Sequence, residues 1–501
     1  MRDDPGMRDQ DGLFKAEPVE PEQPRARTAA VGKQFRAFDP GQVLLLPPSL
    51  DDWLPEDHLA RFVADLVDGV LDLSPIRADY TEKRGYPPYD PRLMVRLLIY
   101  GYTTGVRSSR AIERRCVDDV AFRFLAADQA PDFRSIARFR RRHLDALAGL
   151  FLQSLHLAQK LGMVKMGRVA LDGTKLAANA SKHKAMSYGL AHRQGRTDRG
   201  RDHRTGSHDR RPTGRRRVGR RRRGRPVRHR WQGHGSARRA GQAREAPRQA
   251  AGRPCPDRGR GRRHAEDKER RRQQRASTSD EQAVIDAGEK AAAKARPKPK
   301  NQANFTDPDS RIMKNSDGAY IQAYNAQAVV NEHHQIITAA DVTTCASDAP
   351  NYTHMLDQSA ANTGTHPKQA LVDAGYCSDA NLEAARDRQL YCDTDTFMAT
   401  GRLGHDEHVP PAPRGRIPKN ATLKERMARK LRTKPGRKAY SRRKAIVEPV
   451  FGQVMTCQNG RQLLLRGEDS ARGVWQLLAA CHNLRKIFRH TGPDGLATAI
   501  T

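Results

Sequence analysis

The alternation of apolar and polar positions divides the chain into helical and extended stretches. From Pro47 onward the period is helical: after Asp52-Trp53-Leu54-Pro55-Glu56-Asp57-His58, the residues Leu59, Phe62, Val63, Leu66, Val67 and Val70 fall on one face. A second helix is predicted after Pro91, with Leu93, Met94, Leu97 and Leu98 inward. A third is predicted over about 108–126, with Ile112, Val117, Val120 and Phe124 inward. Residues 132–143 open a short helix that has Ile136, Phe139 and Leu144 on one side and arginines on the other. Further on, 319–330 and 335–342 read as two strands joined through 331–334, 369–372 as another strand, and 379–389 as a helix. Residues 401–440 read as a basic loop or inserted segment. Val474, Leu477, Leu478, Cys481, Leu484 and Ile487 predict a last helix, and Trp53 and Trp475 read as core.

Two of the extended stretches end alike. Val169-Ala170-Leu171 runs into Asp172-Gly173-Thr174-Lys175, and Ala370-Leu371-Val372 runs into Asp373-Ala374-Gly375-Tyr376. An aspartate beside a small residue is by itself a turn signal. The repetition turns both aspartates into candidates for a shared site, to which the helix entrance Val447-Glu448-Pro449-Val450-Phe451-Gly452 adds a third acid, Glu448. Carboxylates at neighbouring strand ends, faced by one from a helix, suit two hard cations about 3.5–4 Å apart, as in two-metal phosphoryl transfer. Asp341 and Asp348 are the runner-up ligands. His333-His334, at the hairpin turn, lacks a third ligand and reads as exposed.

Charge supplies the partner. The chain has 501 residues, enough for two to four domains, and carries 91 Lys and Arg against 57 Asp and Glu, a net charge of +34. Such a balance points to a polyanion, most simply nucleic acid. The arginines after Asp132 suit a recognition helix in a helix-turn-helix-like module, or equally the solvated face of an ordinary bundle. No run of about 18 apolar residues predicts a membrane span, and 1–24 lacks the apolar centre of a signal peptide, so a cytosolic protein is expected. The seven cysteines are scattered without a Cys-x-x-Cys pair and read as reduced structural thiols.

Residues 191–260 stand apart. They hold 24 Arg, 5 acids and no Lys, Leu, Ile, Phe, Tyr or Met, so no period can give them a hydrophobic face. One reading is a disordered DNA-binding arm. The other is out-of-frame translation of a GC-rich gene, which accounts for arginine without lysine. Reading the nucleotide sequence in all three frames separates them.

With Gln322-Ala323-Tyr324-Asn325-Ala326-Gln327 between them, the stretches Leu171-Asp172-Gly173-Thr174-Lys175, Asp373-Ala374-Gly375-Tyr376 and Val447-Glu448-Pro449-Val450-Phe451-Gly452 resemble bacterial insertion-sequence transposases with a DDE triad. The closer likeness is to the group with a helical N-terminal domain. The resemblance covers about 34–189 and 300–490. It implies an α/β fold: an RNase H-like mixed-sheet catalytic domain and an all-α N-terminal domain; where the family has a helical, Ala/Glu/Lys-rich insertion, the composition of 191–260 departs from the pattern and predicts a long, disordered one. The expected division is a disordered 1–33, a helical DNA-binding domain at 34–165, a catalytic domain in two parts at 166–189 and 301–490, an insertion at 190–300 with frameshifted text at about 191–264, and a tail at 491–501.

The implied function is binding of the element's terminal inverted repeats, followed by cleavage and strand transfer. Asp172, Asp373 and Glu448 would be the catalytic residues and the ligands of two Mg2+ ions, with Mn2+ as a substitute. Double-stranded DNA, both element ends and target, is the expected partner, contacted by Arg134, Arg138, Arg141, Arg142, Lys175, Arg443 and Lys444. A homodimer is expected in the synaptic complex, no membrane, and a bacterial cytoplasmic, nucleoid-associated location. The alternatives are a catalytically impaired remnant that only binds DNA, and a nuclease that cuts without joining. Relatives usually carry a lysine seven residues after the glutamate, where this chain has Met455.

Overall fold

A computed structural model describes residues 49–81, 87–181, 184–187, 302–315, 317–401 and 410–496. The expectations for 1–33 and for the arginine-rich 191–260 lie outside the described residues.

The N-terminal part is helical. Helix α1 (Leu59–Gly69) buries Phe62, Val63, Leu66 and Val67, and the His58 ring accepts the Ala60 N–H at its start. After α2 (Ser74–Ala78), helix α3 (Pro91–Thr104) begins with an Asp90 cap and a proline in its first turn, where the missing N–H costs nothing. The single helix predicted over 108–126 is two, α4 (Ser109–Asp118) and α5 (Val120–Leu125). Asp119 takes extended backbone, ends α4, and caps α5 by accepting from the N–H groups of Ala121 and Phe122. The break changes the helical phase. Val117 is therefore 63% exposed, while Cys116, Phe122 and Leu125 are buried. Trp53, expected in the core, is 51% exposed in the turns before α1. Helices α6 (Phe133–Arg142) and α7 (Leu144–Lys160) complete this part.

Two short strands, β2 (Ala185–Ser187) and β3 (Gln302–Asn304), pair with each other beside a larger sheet. That sheet contains β1 (Arg168–Ala177), β4 (Arg311–Lys314), β5 (Tyr320–Asn331), β6 (Ile337–Thr343), β7 (Gln369–Val372) and β8 (Asp395–Met398). Strand β5 is antiparallel to β1, β4 and β6, while β7 is parallel to both β1 and β8. This is a mixed sheet in a mixed α/β chain, as the sequence leads one to expect. Helix α8 (Tyr352–Thr363) connects β6 to β7, and α9 (Asp379–Tyr391) connects β7 to its parallel neighbour β8, as parallel pairing requires.

The basic stretch expected to be loop contains helices α10 (Leu423–Arg432) and α11 (Lys434–Tyr440). A reciprocal capping box between Thr422 and Glu425 starts α10. Helices α12 (Arg442–Thr456) and α13 (Glu468–Thr491) follow.

Side chains alternate across the sheet, so β1 feeds two cores. Val169 and Leu171 join Tyr352, Met355 and Leu382 from α8 and α9. Ala170 and Leu176 join the larger core, which runs from Phe62 and Leu97 through Leu155 to Val447, Trp475 and Leu478. Helix α13 unites that core, packing on α3, α7 and β6. Trp475 is fully buried, and its indole N–H donates to the Gln327 carbonyl at 2.9 Å. Arg107, buried after α3, donates to the carbonyls of Asn459 and Gln462, binding the N-terminal helices to the loop that follows α12. Replacing Trp475 with alanine opens a cavity between α13 and the sheet. Urea denaturation is expected to show a loss of about 3–5 kcal/mol, and an unchanged midpoint would contradict this account of the core.

Candidate active site

Strand β1 does not stop at Asp172, as its Asp-Gly pair suggested. It continues beside β5, where Asp172 pairs with Ala328, as far as Ala177. Its parallel partner β7, however, ends at Val372, opposite Leu171. Asp172 is thus one residue past the last β1–β7 pair, and Asp373 one residue past the end of β7. Adjacent strands lie about 4.8 Å apart, so the register places two carboxylates side by side.

Arg443, on the first turn of α12, stands between them. One guanidinium nitrogen is 2.8 Å from Asp172 Oδ2, and the other is 3.6 Å from Asp373 Oδ1. Its side chain is only 9% exposed. For like unit charges about 4 Å apart near a protein surface, repulsion is of order 4 kcal/mol, and a cation shared by the two offsets it. Burial still raises the Asp172 pKa above the ordinary aspartate value, against the pull of Arg443 and the Gly173 N–H and with a further push from Asp373. The Arg443 pKa is raised: attraction to Asp172 and to Tyr440 outweighs the largest single influence, desolvation. Tyr440, at the end of α11, lies close by, its hydroxyl pushed up to about 12 mainly by burial.

The opposite face of β1 carries a polar network. Gly173 pairs with Gln327 and Lys175 with Asn325. A Cβ at Gly173 would come within 2.3 Å of the Gln327 amide nitrogen and 2.9 Å of Asp348 Oδ1, so any larger residue would displace the side chains of this network. Asp348 Oδ1 accepts from Lys175 at 3.0 Å, Asn325 at 2.7 Å and Gln327 at 3.0 Å. The Tyr376 hydroxyl donates to Gln327 Oε1, fastening the turn that follows Asp373 to the middle of β5. Burial first, and then the nearby Asp348, Asp172 and Asp373, hold the Tyr376 pKa well above the ordinary tyrosine value.

The structure brings together Asp172, Asp373 and Arg443. Glu448 lies on the same helix as Arg443 but is exposed and outside this cluster. At about 100° per residue it projects roughly 140° around the helix from Arg443. Among the described residues, no three His, Cys, Asp or Glu side chains are grouped so as to hold a metal ion. Of the residues expected on DNA, Arg134, Arg138, Arg141 and Arg142 are exposed on α6 and Lys444 is exposed on α12. Arg142 also lies over the Tyr80 ring and donates to the Asp79 carbonyl. Lys175 is instead paired with Asp348, and Arg443 is turned inward onto the aspartates. Asp341 is elsewhere, between Arg472 and His354. The His334 ring meets His333 edge-to-face and His490 at a tilt, with centroids 4.1 and 4.2 Å apart.

Gln327, Asp348 and Tyr376 were not picked out together from the sequence. The available signal was Asn325 and Gln327, two residues apart in an otherwise Ala- and Val-rich strand and therefore on one face.

A family model described as a transposase domain matches residues 48–142, and one described as a transposase DDE domain matches residues 284–484. Together they span more than half of the chain. It belongs to the DDE transposases of insertion sequences. Asp373 and Glu448 fall inside the second match, while Asp172 lies between the two. No curated protein and no solved structure matches the chain. A DDE domain makes the transposase a nucleic-acid-processing enzyme of a family that generally uses divalent metal ions. Among the described residues, no helix is long and apolar enough to cross a membrane.

Arg443→Gln leaves the two aspartates without their cation. At neutral pH it is expected to cost roughly 2–3 kcal/mol in urea denaturation, at the lower end for removal of one partner from a buried pair because Asp373 is partly exposed. A carboxyl whose folded pKa exceeds its unfolded value costs stability above the folded pKa and ceases to do so below the unfolded one. The deficit should therefore shrink as pH falls through the raised pKa of Asp172. An equal deficit at neutral and acidic pH would contradict the proposed pairing.

Proposed function

We propose that this transposase binds the terminal inverted repeats of its element, cleaves the DNA there, and transfers the freed strands to target DNA. The observation that carries the reading is the placement of Asp172 and Asp373 side by side around a shared cation. Their fit to a metal rests on that donor set, two adjacent carboxylates already holding a positive charge. Asp172 and Asp373 would hold Mg2+ or Mn2+; Glu448, the third acid of the reading, stands exposed on α12 outside this pair and would have to be brought to it by a shift of that helix. A metal held by Asp172 and Asp373 would supply Lewis-acid activation of the attacking oxygen and charge stabilisation of the leaving one.

The protein's own groups arrange the rest. Arg443 reaches both carboxylates from the first turn of α12 and holds them in place. The Tyr376–Gln327–Asp348 network fixes the Asp373 turn against β5, so the carboxylate spacing does not depend on a free loop. Arg134, Arg138, Arg141, Arg142 and Lys444 offer exposed charge to phosphates, and a complex of two element ends calls for a homodimer. Action on chromosomal DNA would place the protein with the nucleoid in a bacterial cytoplasm.

One observation favours the second reading, a remnant that binds DNA without cutting it. Met455, at the position where relatives carry lysine, packs against the main hydrophobic core rather than offering charge to DNA. Nicking of a duplex bearing the element's ends, with Mg2+, separates the readings. The wild type is expected to nick, and Asp373→Asn to bind equally well but nick roughly 1,000-fold more slowly, the equivalent of several kcal/mol. Binding without nicking by the wild type would select the remnant, and undiminished nicking by Asp373→Asn would overturn the site assignment.

A further inference from the structure

A second charged recess lies at the other side of the first turn of α12. A cavity of about 370 Å³ opens between the β5–β6 turn, the start of α12 and the last turns of α13. Arg442, Lys486, Arg489 and His490 line it, with Glu332 as its single acid. Glu332 is already engaged, because Arg442 contacts one of its oxygens at 2.9 Å and Arg168 the other at 2.9 Å. The charge of Lys486 and Arg489 is therefore left over.

The recess is structured. Lys486 is half-buried, and its ammonium donates to Gln335 Oε1 at 2.7 Å, which fixes its position. His334 and Gln335 both have left-handed backbone, φ 57° and 56°, in the turn that forms one wall. Neither residue is a glycine, and such strain is retained where surrounding structure holds a surface in a set shape. The Lys486 pKa is lowered, first by desolvation and then by Arg489 and Arg485, so the site gains from an incoming anion.

We propose that this recess binds a phosphate of the DNA backbone, through Lys486 and Arg489, next to the active site. Arg442 in its wall and Arg443 between the aspartates are consecutive residues, with Cα atoms about 3.8 Å apart. A strand held by the recess is thereby tied to the helix end that controls the aspartate pair. The proposal rests on the transposase reading, and it adds a positioning contact distinct from the arginines of α6.

The test is DNA binding as a function of salt, measured by fluorescence anisotropy on a short labelled duplex with the full chain. Lys486→Gln combined with Arg489→Gln should lower affinity by roughly ten-fold and reduce the slope of log K against log salt by about 1, since each phosphate contact contributes about 0.9. Arg386→Gln with Lys419→Gln removes the same charge from exposed positions elsewhere and should leave the slope nearly unchanged. Lys486→Arg with Arg489→Lys preserves charge and should retain the wild-type slope, which separates lost contacts from lost folding. If the recess variant binds like the wild type, or if the control loses as much, the recess proposal is overturned while the transposase reading stands. If the wild type binds no DNA, that reading falls with it. Titration with inorganic phosphate supplies the remaining arm: phosphate binding abolished by the variant, with DNA binding unchanged, would mark a free-anion site and overturn the proposal.

Discussion

Arg443 stands between Asp172 and Asp373 because the sheet leaves it little choice of place. Parallel register between β1 and β7 sets the two aspartates next to one another at the point where β7 ends. Two carboxylates so placed repel unless a cation is shared between them. The cation comes from α12, whose inner face of Ile446, Val447, Val450 and Val454 is buried in the core that α13 unites. Packing of the C-terminal helices and electrostatics of the site are in this sense one problem. A shift of α12 against the sheet moves the charge that holds the aspartates.

The other face of β1 constrains the same residues by different means. There the contacts are hydrogen bonds, from Lys175, Asn325 and Gln327 to Asp348 and from Tyr376 to Gln327. Gly173 makes room for them, and at Gly375 a Cβ would meet Asp348 Oδ2 at 3.0 Å. A buried polar network of this kind is valuable only when its members are satisfied together. It holds the Asp373 turn from one side while Arg443 holds its carboxylate from the other.

Much of this was legible in the sequence, for identifiable reasons. Strand β7 and helices α3 and α13 were visible because their apolar positions follow one period without interruption. The two aspartates were visible because the same strand-acid-small pattern occurs twice. Asp119 hid the break between α4 and α5, since an aspartate inside a helical pattern looks like an exposed position until its cap is seen. Helices α10 and α11 were hidden because α10 buries no residue fully and is dominated by Lys and Arg. Trp53 is exposed because it stands in the turns before α1, where no helical face carries it inward. The inward turn of Arg443 was not legible at all. Arginine in a run of Arg and Lys reads as solvated charge, and only the register of two strands more than 60 residues from it in sequence shows what it neutralises.

The central claim is that Asp172 and Asp373 form a cation site which Arg443 fills from within the protein. Calorimetric titration of Mn2+ into the wild type, Arg443→Gln and Asp172→Asn tests it without reference to DNA cleavage. Competition for one site predicts tighter Mn2+ binding by Arg443→Gln than by the wild type, and its loss in Asp172→Asn. Equal Mn2+ affinity in all three proteins would contradict the claim.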